Sequence, residues 1–368
     1  TAIGDRDRLT ATSGLTITPH MPTGILHIDL EAIAANWRAL DALSSYDCET
    51  AATVKADAYG LGVTQIAPRL FAEGCRAFFV ATADEGLELR RALGPEPRIY
   101  AYYGHMTGDT ATLARADVVP LICSLEQLMR HLEALPRHPF GLQLDTGMNR
   151  LGLKMEEWAA VAELALRAEP VLVTTHLASS DVPDAAQNTD QLARFHEMTD
   201  GISVPRSLAA TGGILLGGEY HFDMTRPGIG LFGGLPFAKA DPVVALDLPV
   251  ISCFDIAAGE AVGYSATWTA RAPSRIATVG GGYADGLLRS LSQGMEVMVG
   301  PVPCNVVGRV SMDLLTVDIS HLDRDPESVR VLDAHRGVDT LAASAGTIGY
   351  EVLTSMGRRY KRQYRGGQ

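Results

Sequence analysis

The chain has 368 residues, 46% of them apolar and 20% charged, with a net charge of −12. That length exceeds one small domain and can bury a large core without disulfide or metal staples. The acidic balance argues against nucleic acid or an anionic membrane surface as partner, since neither rewards negative charge.

The chain opens on a polar leader, 1–22, expected to pack on a second domain; it lacks the apolar run of a signal peptide, and no stretch reads as a membrane span. Residues 23–243 then alternate short apolar runs with helix-length segments. The runs are TVKA (53–56), AFFVAT (77–82), RIYAYY (98–103), VVPLIC (118–123), FGLQLDT (140–146), VLVTTHLA (171–178), SLAAT (207–211) and GIGLFG (228–233). Between them, segments such as ADEGLELRRAL repeat apolar residues every three or four positions, the helical period. Eight such units read as an α/β chain folded into a (β/α)8 TIM barrel, with an open doubly wound sheet as the alternative. From 244 to 368 the pattern becomes alternating strands between Gly and Pro turns (EVMVG, NVVGRV, LLTVDI), a mainly antiparallel β domain. The basic end, GRRYKRQYRGG, reads as a solvated charge run.

Several chemistries find no support. The ten histidines include no HExxH and no His/Cys cluster, so no metal is expected. VGGGYADG lacks the GK[ST] of a P-loop, and no GxSxG marks a nucleophile elbow. The five cysteines are scattered without a CxxC pair, as idle thiols in a reducing, cytoplasmic compartment would be. What stands out is VKADAYGLG (54–62) at the end of the first barrel run. Burial there favours a neutral, nucleophilic amine on Lys55, the form that condenses with an aldehyde cofactor. Arg150, His176, Thr211 and Arg226 end later runs, and in a barrel those ends converge on one mouth.

VKADAYGLG resembles the cofactor-lysine motif of the alanine racemase family. The likeness continues in order through HIDLEAIAANWRAL, FFVATADEGLELR, LDTGMNRLGL, THLASSD, NTDQLARF, RPGIGLFGG, VGYSATWTA, GGYADGLLR and VGRVSMDLLTVDI. The resemblance implies a pyridoxal 5′-phosphate enzyme that racemises alanine and supplies D-alanine for peptidoglycan; a broad-specificity or serine racemase is the alternative. A barrel-type decarboxylase or a non-catalytic PLP-binding protein fits less well, because the GYSATW tyrosine speaks against both. Carried over by position, Lys55 is the Schiff-base lysine and Tyr59 a phosphate ligand. Arg150 contacts the cofactor's phenolic oxygen and the substrate carboxylate, and His176 links the tyrosine base to Arg226, which faces the pyridine nitrogen. Thr211 and the backbone of Gly228 and Ile229 hold phosphate. Tyr264 is the second base, and Tyr283, Met312 and Asp313 line the pocket and its entrance. The resemblance also implies a homodimer in which second-domain groups complete the neighbouring barrel's site.

Three positions depart from the family pattern. Gln143 stands where many members carry a carbamylated lysine that offsets the arginine's charge. Leu61 replaces a common histidine. Arg358 falls where some members have a phosphate-contacting tyrosine, which leaves Tyr360 as a second candidate.

Overall fold

The computed structural model describes residues 23–292 and 294–367, so the leader and its expected packing lie outside the described residues. Seven parallel strands lie side by side in chain order: Ala52–Thr53, Ala77–Val80, Arg98–Ala101, Val118–Ile122, Gly141–Gln143, Leu172–Thr174 and Arg206–Ser207. An eighth, Met224–Thr225, pairs in parallel with Glu49–Thr50, and the Asp223 N–H donates to Arg206 O at 3.0 Å. The ring is thereby closed as a (β/α)8 barrel.

Barrel strands are buried on both faces, as a ring between a packed lumen and outer helices requires. Phe79, Tyr100, Val119, Leu121, Leu172 and Met224 fill the lumen as a cluster separate from the main core. Their neighbours Phe78, Ile99, Val118 and Ile122 turn outward into the helix-packed core. Two of the helices, Ala83–Leu93 and Leu125–Ala134, begin at hydroxyl caps. Thr82 Oγ1 accepts the Glu85 N–H, and Ser124 Oγ the Gln127 N–H, each at 3.2 Å. Such a cap contributes about 1 kcal/mol.

The sequence pattern misplaces the eighth strand. GIGLFG is a short 3-10 helix, Ile229–Phe232, not a strand. Its chain turns because the Gly228 and Gly230 N–H groups donate to Thr211 Oγ1, at 3.0 and 3.2 Å, instead of to a neighbouring strand. A Cβ on Gly230 would meet Thr211 Cγ2 at 2.7 Å, so this approach needs glycine.

Strand Ile25–Asp29, in the stretch expected to open the barrel, is hydrogen-bonded into the second sheet, between Val244–Ile256 and Lys361–Arg365. Its burial alternates along the strand, the pattern of a sheet with one covered face, unlike the continuous burial of the barrel strands. Strand Val244–Ile256 does double duty. Its first half pairs with Ile25–Asp29 and Ser328–Leu332; after an irregularity at Val250–Ser252, its second half pairs with Ser274–Gly280. Through Leu314–Asp318, Val302–Val307 and Glu296–Val299 the sheet returns to Ser328–Leu332, giving a closed antiparallel barrel of six strands.

The Phe79 ring stacks on Tyr100 at 4.7 Å between centroids and fills the lumen beneath the mouth. Phe79→Ala should therefore destabilise the chain by about 3–5 kcal/mol, the range for emptying a buried aromatic site. Denaturant unfolding against the parent checks this; a loss below about 1 kcal/mol would mean the lumen is not a packed core.

Candidate active site

Arg226 directly follows the strand that closes the barrel, and its side chain is 1% exposed. Its guanidinium reaches across the mouth to neutral acceptors. Nε donates to Ser207 Oγ (2.8 Å), Nη1 to Tyr102 Oη (3.1 Å), and Nη2 to the carbonyls of Thr175 (2.6 Å) and Leu208 (3.1 Å). No carboxylate among the described residues pairs with it. A full positive charge is thus fixed inside the mouth.

Lys55 follows strand Ala52–Thr53 at the same end, half-buried, with Nζ 5.5 Å from the centroid of Tyr102. Tyr102 also meets Thr53 Oγ1 at 3.2 Å, so one phenol links the lysine's strand to Arg226. After Lys55 the backbone winds left-handed: Ala56, Asp57, Ala58 and Tyr59 have φ of 54°, 55°, 52° and 57°, and Gly60 has 82°. For an L-residue this conformation costs roughly 1–2 kcal/mol. The surroundings hold it. Asp57 Oδ1 accepts the Val63 N–H at 2.7 Å, and strand Lys361–Arg365 sends Arg362 Nη2 to Gly60 O (2.9 Å) and Tyr364 Oη to Leu61 O (2.8 Å).

The left-handed turn delivers Tyr59 into the core, tilted against Phe232 with ring centroids 4.7 Å apart. Burial pushes its phenol well above the ordinary tyrosine range, so it stays protonated and can donate. A Cβ on Gly228 would lie 2.3 Å from the Tyr59 hydroxyl, so only glycine fits beneath it. Gly228, Thr211 and Ile229 meet at this point. Thr211 Oγ1 accepts from the Gly228 and Gly230 N–H groups and keeps its own proton to donate. The buried Ile229 N–H, first in its short helix, makes no hydrogen bond to another described residue. A tyrosine hydroxyl, a threonine hydroxyl and an unspent backbone donor form a cradle for an anion such as phosphate.

His176, after strand Leu172–Thr174, lies close to three cations. Burial first, then Arg226, Arg150 and Lys55, lower its pKa to about 3, so the ring is neutral at physiological pH. Arg150 lies on an exposed loop with no hydrogen-bond or ion-pair partner among the described residues. Gln143 does not reach it. That amide accepts from Thr174 Oγ1 at 2.7 Å and donates to Leu144 O at 3.2 Å, which commits both its ends inside the barrel.

The second-domain residues sit apart. Tyr264 is 71% exposed, Met312 54% and Tyr283 43%, and none bonds to a barrel-mouth residue among those described. Asp313 is tied to Arg359 at 2.7 Å. Of the two C-terminal candidates for phosphate, Tyr360 is buried beside Gly24, its hydroxyl without a partner among the described residues, and Arg358 is exposed. The aromatic that does approach the mouth from the C-terminal region is Tyr350, 5.9 Å from Tyr59 between centroids. Sequence reasoning missed it, together with Tyr102. The tyrosines of RIYAYY end a barrel run, and that position could have identified Tyr102.

The depressed His176 pKa makes a stability prediction. Between about 3 and 6.5 the unfolded chain binds a proton at this ring that the folded chain does not, so stability falls as pH drops through that window and is flat above it. His176→Asn should lose less stability from pH 7 to pH 4 than the parent does. Parallel losses in denaturant titrations would show that the ring is already charged when folded.

Two family models cover most of the chain: "Alanine racemase, N-terminal domain" matches residues 28–236 and "Alanine racemase, C-terminal domain" matches 243–364. An alanine racemase of Dinoroseobacter shibae is 59% identical over 94% of this chain and 99% of its own length. One of Rhizobium meliloti is 43% identical over 93% and 97%. Among solved structures, alanine racemase from Bartonella henselae with covalently bound pyridoxal phosphate superposes with a TM-score of 0.89 at 35% identity, covering 94% of this chain and all of that one. The biosynthetic alanine racemase of Pseudomonas aeruginosa gives 0.88 at 33% identity over 94% and 100%. With the barrel, the lysine at its mouth and the β domain behind it, the chain belongs to the alanine racemase family.

Proposed function

We propose that this chain interconverts L- and D-alanine with two bases, Lys55 and Tyr264, at a site shared between two copies. As a member of its family it is a pyridoxal-phosphate-dependent amino-acid racemase. The observation that carries the residue assignment is the convergence of Lys55, Arg150 and Arg226 on neutral His176 beside a cradle of the Tyr59 and Thr211 hydroxyls and the unspent Ile229 N–H. That set suits a phosphorylated aldehyde: the cradle of Tyr59, Thr211, Gly228 and Ile229 holds the phosphate, and Lys55 the aldehyde carbon. When bound, pyridoxal 5′-phosphate supplies an electron sink for a carbanion at the substrate α-carbon.

The chain's own groups do the rest. Arg150, without a partner among the described residues, takes the substrate carboxylate. Arg226 would hold the cofactor's ring from the nitrogen side; a guanidinium does not give up its proton, so it would leave that nitrogen without one. Lys55, as a free amine, would remove or return the α-proton on the face used by D-alanine. Tyr264 serves the opposite face, and its phenol needs nearby cations to act as a base. The mouth has them, but in one chain Tyr264 stands in solvent on another domain. Its exposure, with that of Tyr283 and Met312, supports a homodimer in which this face completes the neighbouring mouth and narrows it toward alanine. Asp313, braced by Arg359, borders that entrance. The domains divide in this reading as 23–243 and 244–368, strand Ile25–Asp29 reaching from the first into the second sheet. The five cysteines are free, as a cytoplasmic enzyme requires, and among the described residues no helix is long and apolar enough to cross a membrane. In this reading its D-alanine feeds peptidoglycan.

Borohydride should trap pyridoxal phosphate on Lys55 in the purified enzyme; an adduct mapped to another lysine sinks the assignment. Inactive Lys55→Ala and Tyr264→Phe chains, mixed under subunit exchange, should regain up to roughly a quarter of the parent sites, because each hybrid dimer has one intact site. No recovery despite proven exchange would place both bases in one chain. Tyr264→Phe alone should lose about 10²–10⁴-fold of racemisation in both directions. In D₂O it should still exchange the α-proton of D-alanine with retention, and that of L-alanine far more slowly. Equal exchange of both isomers by NMR would end the two-base reading.

A further inference from the structure

We infer that Glu85 is a positioning residue for Lys55, acting through the backbone on which the lysine stands; this rests on Lys55 being the aldehyde-holding amine. The Glu85 carboxylate leaves helix Ala83–Leu93 and bridges two neighbouring strand ends. Oε1 accepts the Ala56 N–H at 3.0 Å, and Oε2 accepts the Ala81 N–H at 2.7 Å. Ala56 immediately follows Lys55 and is the first residue of the left-handed turn. Ala81 immediately follows strand Ala77–Val80. The barrel ladder runs out at this point: Val54 still donates to Phe79 O at 2.9 Å, and the next donor engaged beyond it is Ala56, on Glu85.

The turn is therefore anchored at both ends. Arg362 and Tyr364 hold its far end at Gly60 and Leu61, and Glu85 holds the lysine end. The near anchor matters more for chemistry, because the lysine stem swings from the peptide that Glu85 fixes. A carboxylate suits the task, since it is an acceptor at both oxygens and both facing groups are donors. An amide of the same shape turns its NH₂ against one of the two N–H groups and releases it. Glu85 also closes its helix cap, its backbone N–H donating to Thr82 Oγ1 at 3.2 Å, a bond that leaves both carboxylate oxygens to the two strand-end donors.

The test compares parent, E85Q and Thr82→Ala chains, stripped of cofactor and then mixed with pyridoxal 5′-phosphate. The borohydride-reducible adduct on Lys55 is followed in time. E85Q should form it on the order of tenfold more slowly, as expected for a reacting group displaced by a fraction of an ångström to an ångström, and kcat should fall with KM for alanine unchanged. Thr82→Ala removes the cap, keeps the carboxylate and should react at the parent rate. In a Lys55→Ala background, where only non-covalent binding remains, adding E85Q should leave affinity for pyridoxal 5′-phosphate unchanged, because Glu85 acts through the lysine. That result also shows that E85Q folds. Equal adduct rates in parent and E85Q overturn the inference. So does an affinity loss from E85Q that persists without Lys55, which would make Glu85 a general support of the mouth. A parent chain that forms no adduct on Lys55 overturns the underlying assignment, and this inference with it.

Discussion

The buried guanidinium of Arg226 is the interaction on which the site depends. Taking an unpaired cation out of water costs several kcal/mol, and here no carboxylate among the described residues offsets it. Four hydrogen bonds to neutral oxygens do, each worth about 1.5–3 kcal/mol when the donor is charged. Those oxygens come from Ser207, Tyr102, Thr175 and Leu208, at the ends of three barrel strands. The bonds that keep the charge dry therefore also draw the strand ends together. Arg226 N–H donates to Ala209 O and its carbonyl accepts from Thr53 Oγ1, so the same residue closes the ring on both sides. Its field, added to desolvation, keeps His176 neutral.

The second constraint is the strained turn after Lys55. Four successive non-glycine residues in left-handed conformation do not persist unless the surroundings over-determine them. The surroundings come from both domains. Strand Lys361–Arg365 lies parallel to Ile25–Asp29, so the end of the chain is sewn beside its first described strand. From that seam Arg362 and Tyr364 grip the carbonyls of Gly60 and Leu61. The β domain is thus coupled to the lysine's backbone as well as being packed against the barrel.

Much of this was legible in the sequence, for physical reasons that also explain the failures. Fully buried strands are short continuous apolar runs, so AFFV and VVPLI stand out, and the helices between them announce themselves by caps and period. GIGLFG has the same apolar texture but is a 3-10 turn, because its ladder donors are diverted to a threonine seventeen positions earlier, which no local pattern encodes. Strand Ile25–Asp29 looked like barrel by position, whereas its alternating burial could be assigned to the other sheet only once the partner strands were known. The motif located Lys55 and Tyr59 but could not disclose that the turn between them is left-handed. Gln143 seemed available to Arg150 by analogy of position; Thr174, on the adjacent strand, takes its carbonyl oxygen instead. Tyr102 and Glu85 were invisible as site residues because each resembles something ordinary, a strand tyrosine and the third residue of a helix cap.

The distribution of charge and apolar surface gives the site its logic. The chain as a whole is acidic, yet the mouth collects Lys55, Arg150 and Arg226 around an imidazole that carries no charge. Such a pocket suits an anion, and the unspent Ile229 N–H with the Tyr59 and Thr211 hydroxyls offers its oxygens donors. Among the described residues, Tyr264, the proposed second base, makes no hydrogen bond to the mouth. The β domain carries a phenol and two large apolar side chains in water, where they contribute little to the stability of a single chain. A cationic mouth and an exposed aromatic face would suit one another across a dimer interface. The proposed dimer joins them, which removes the exposed apolar surface and brings the Tyr264 phenol to the cations that it needs to work as a base.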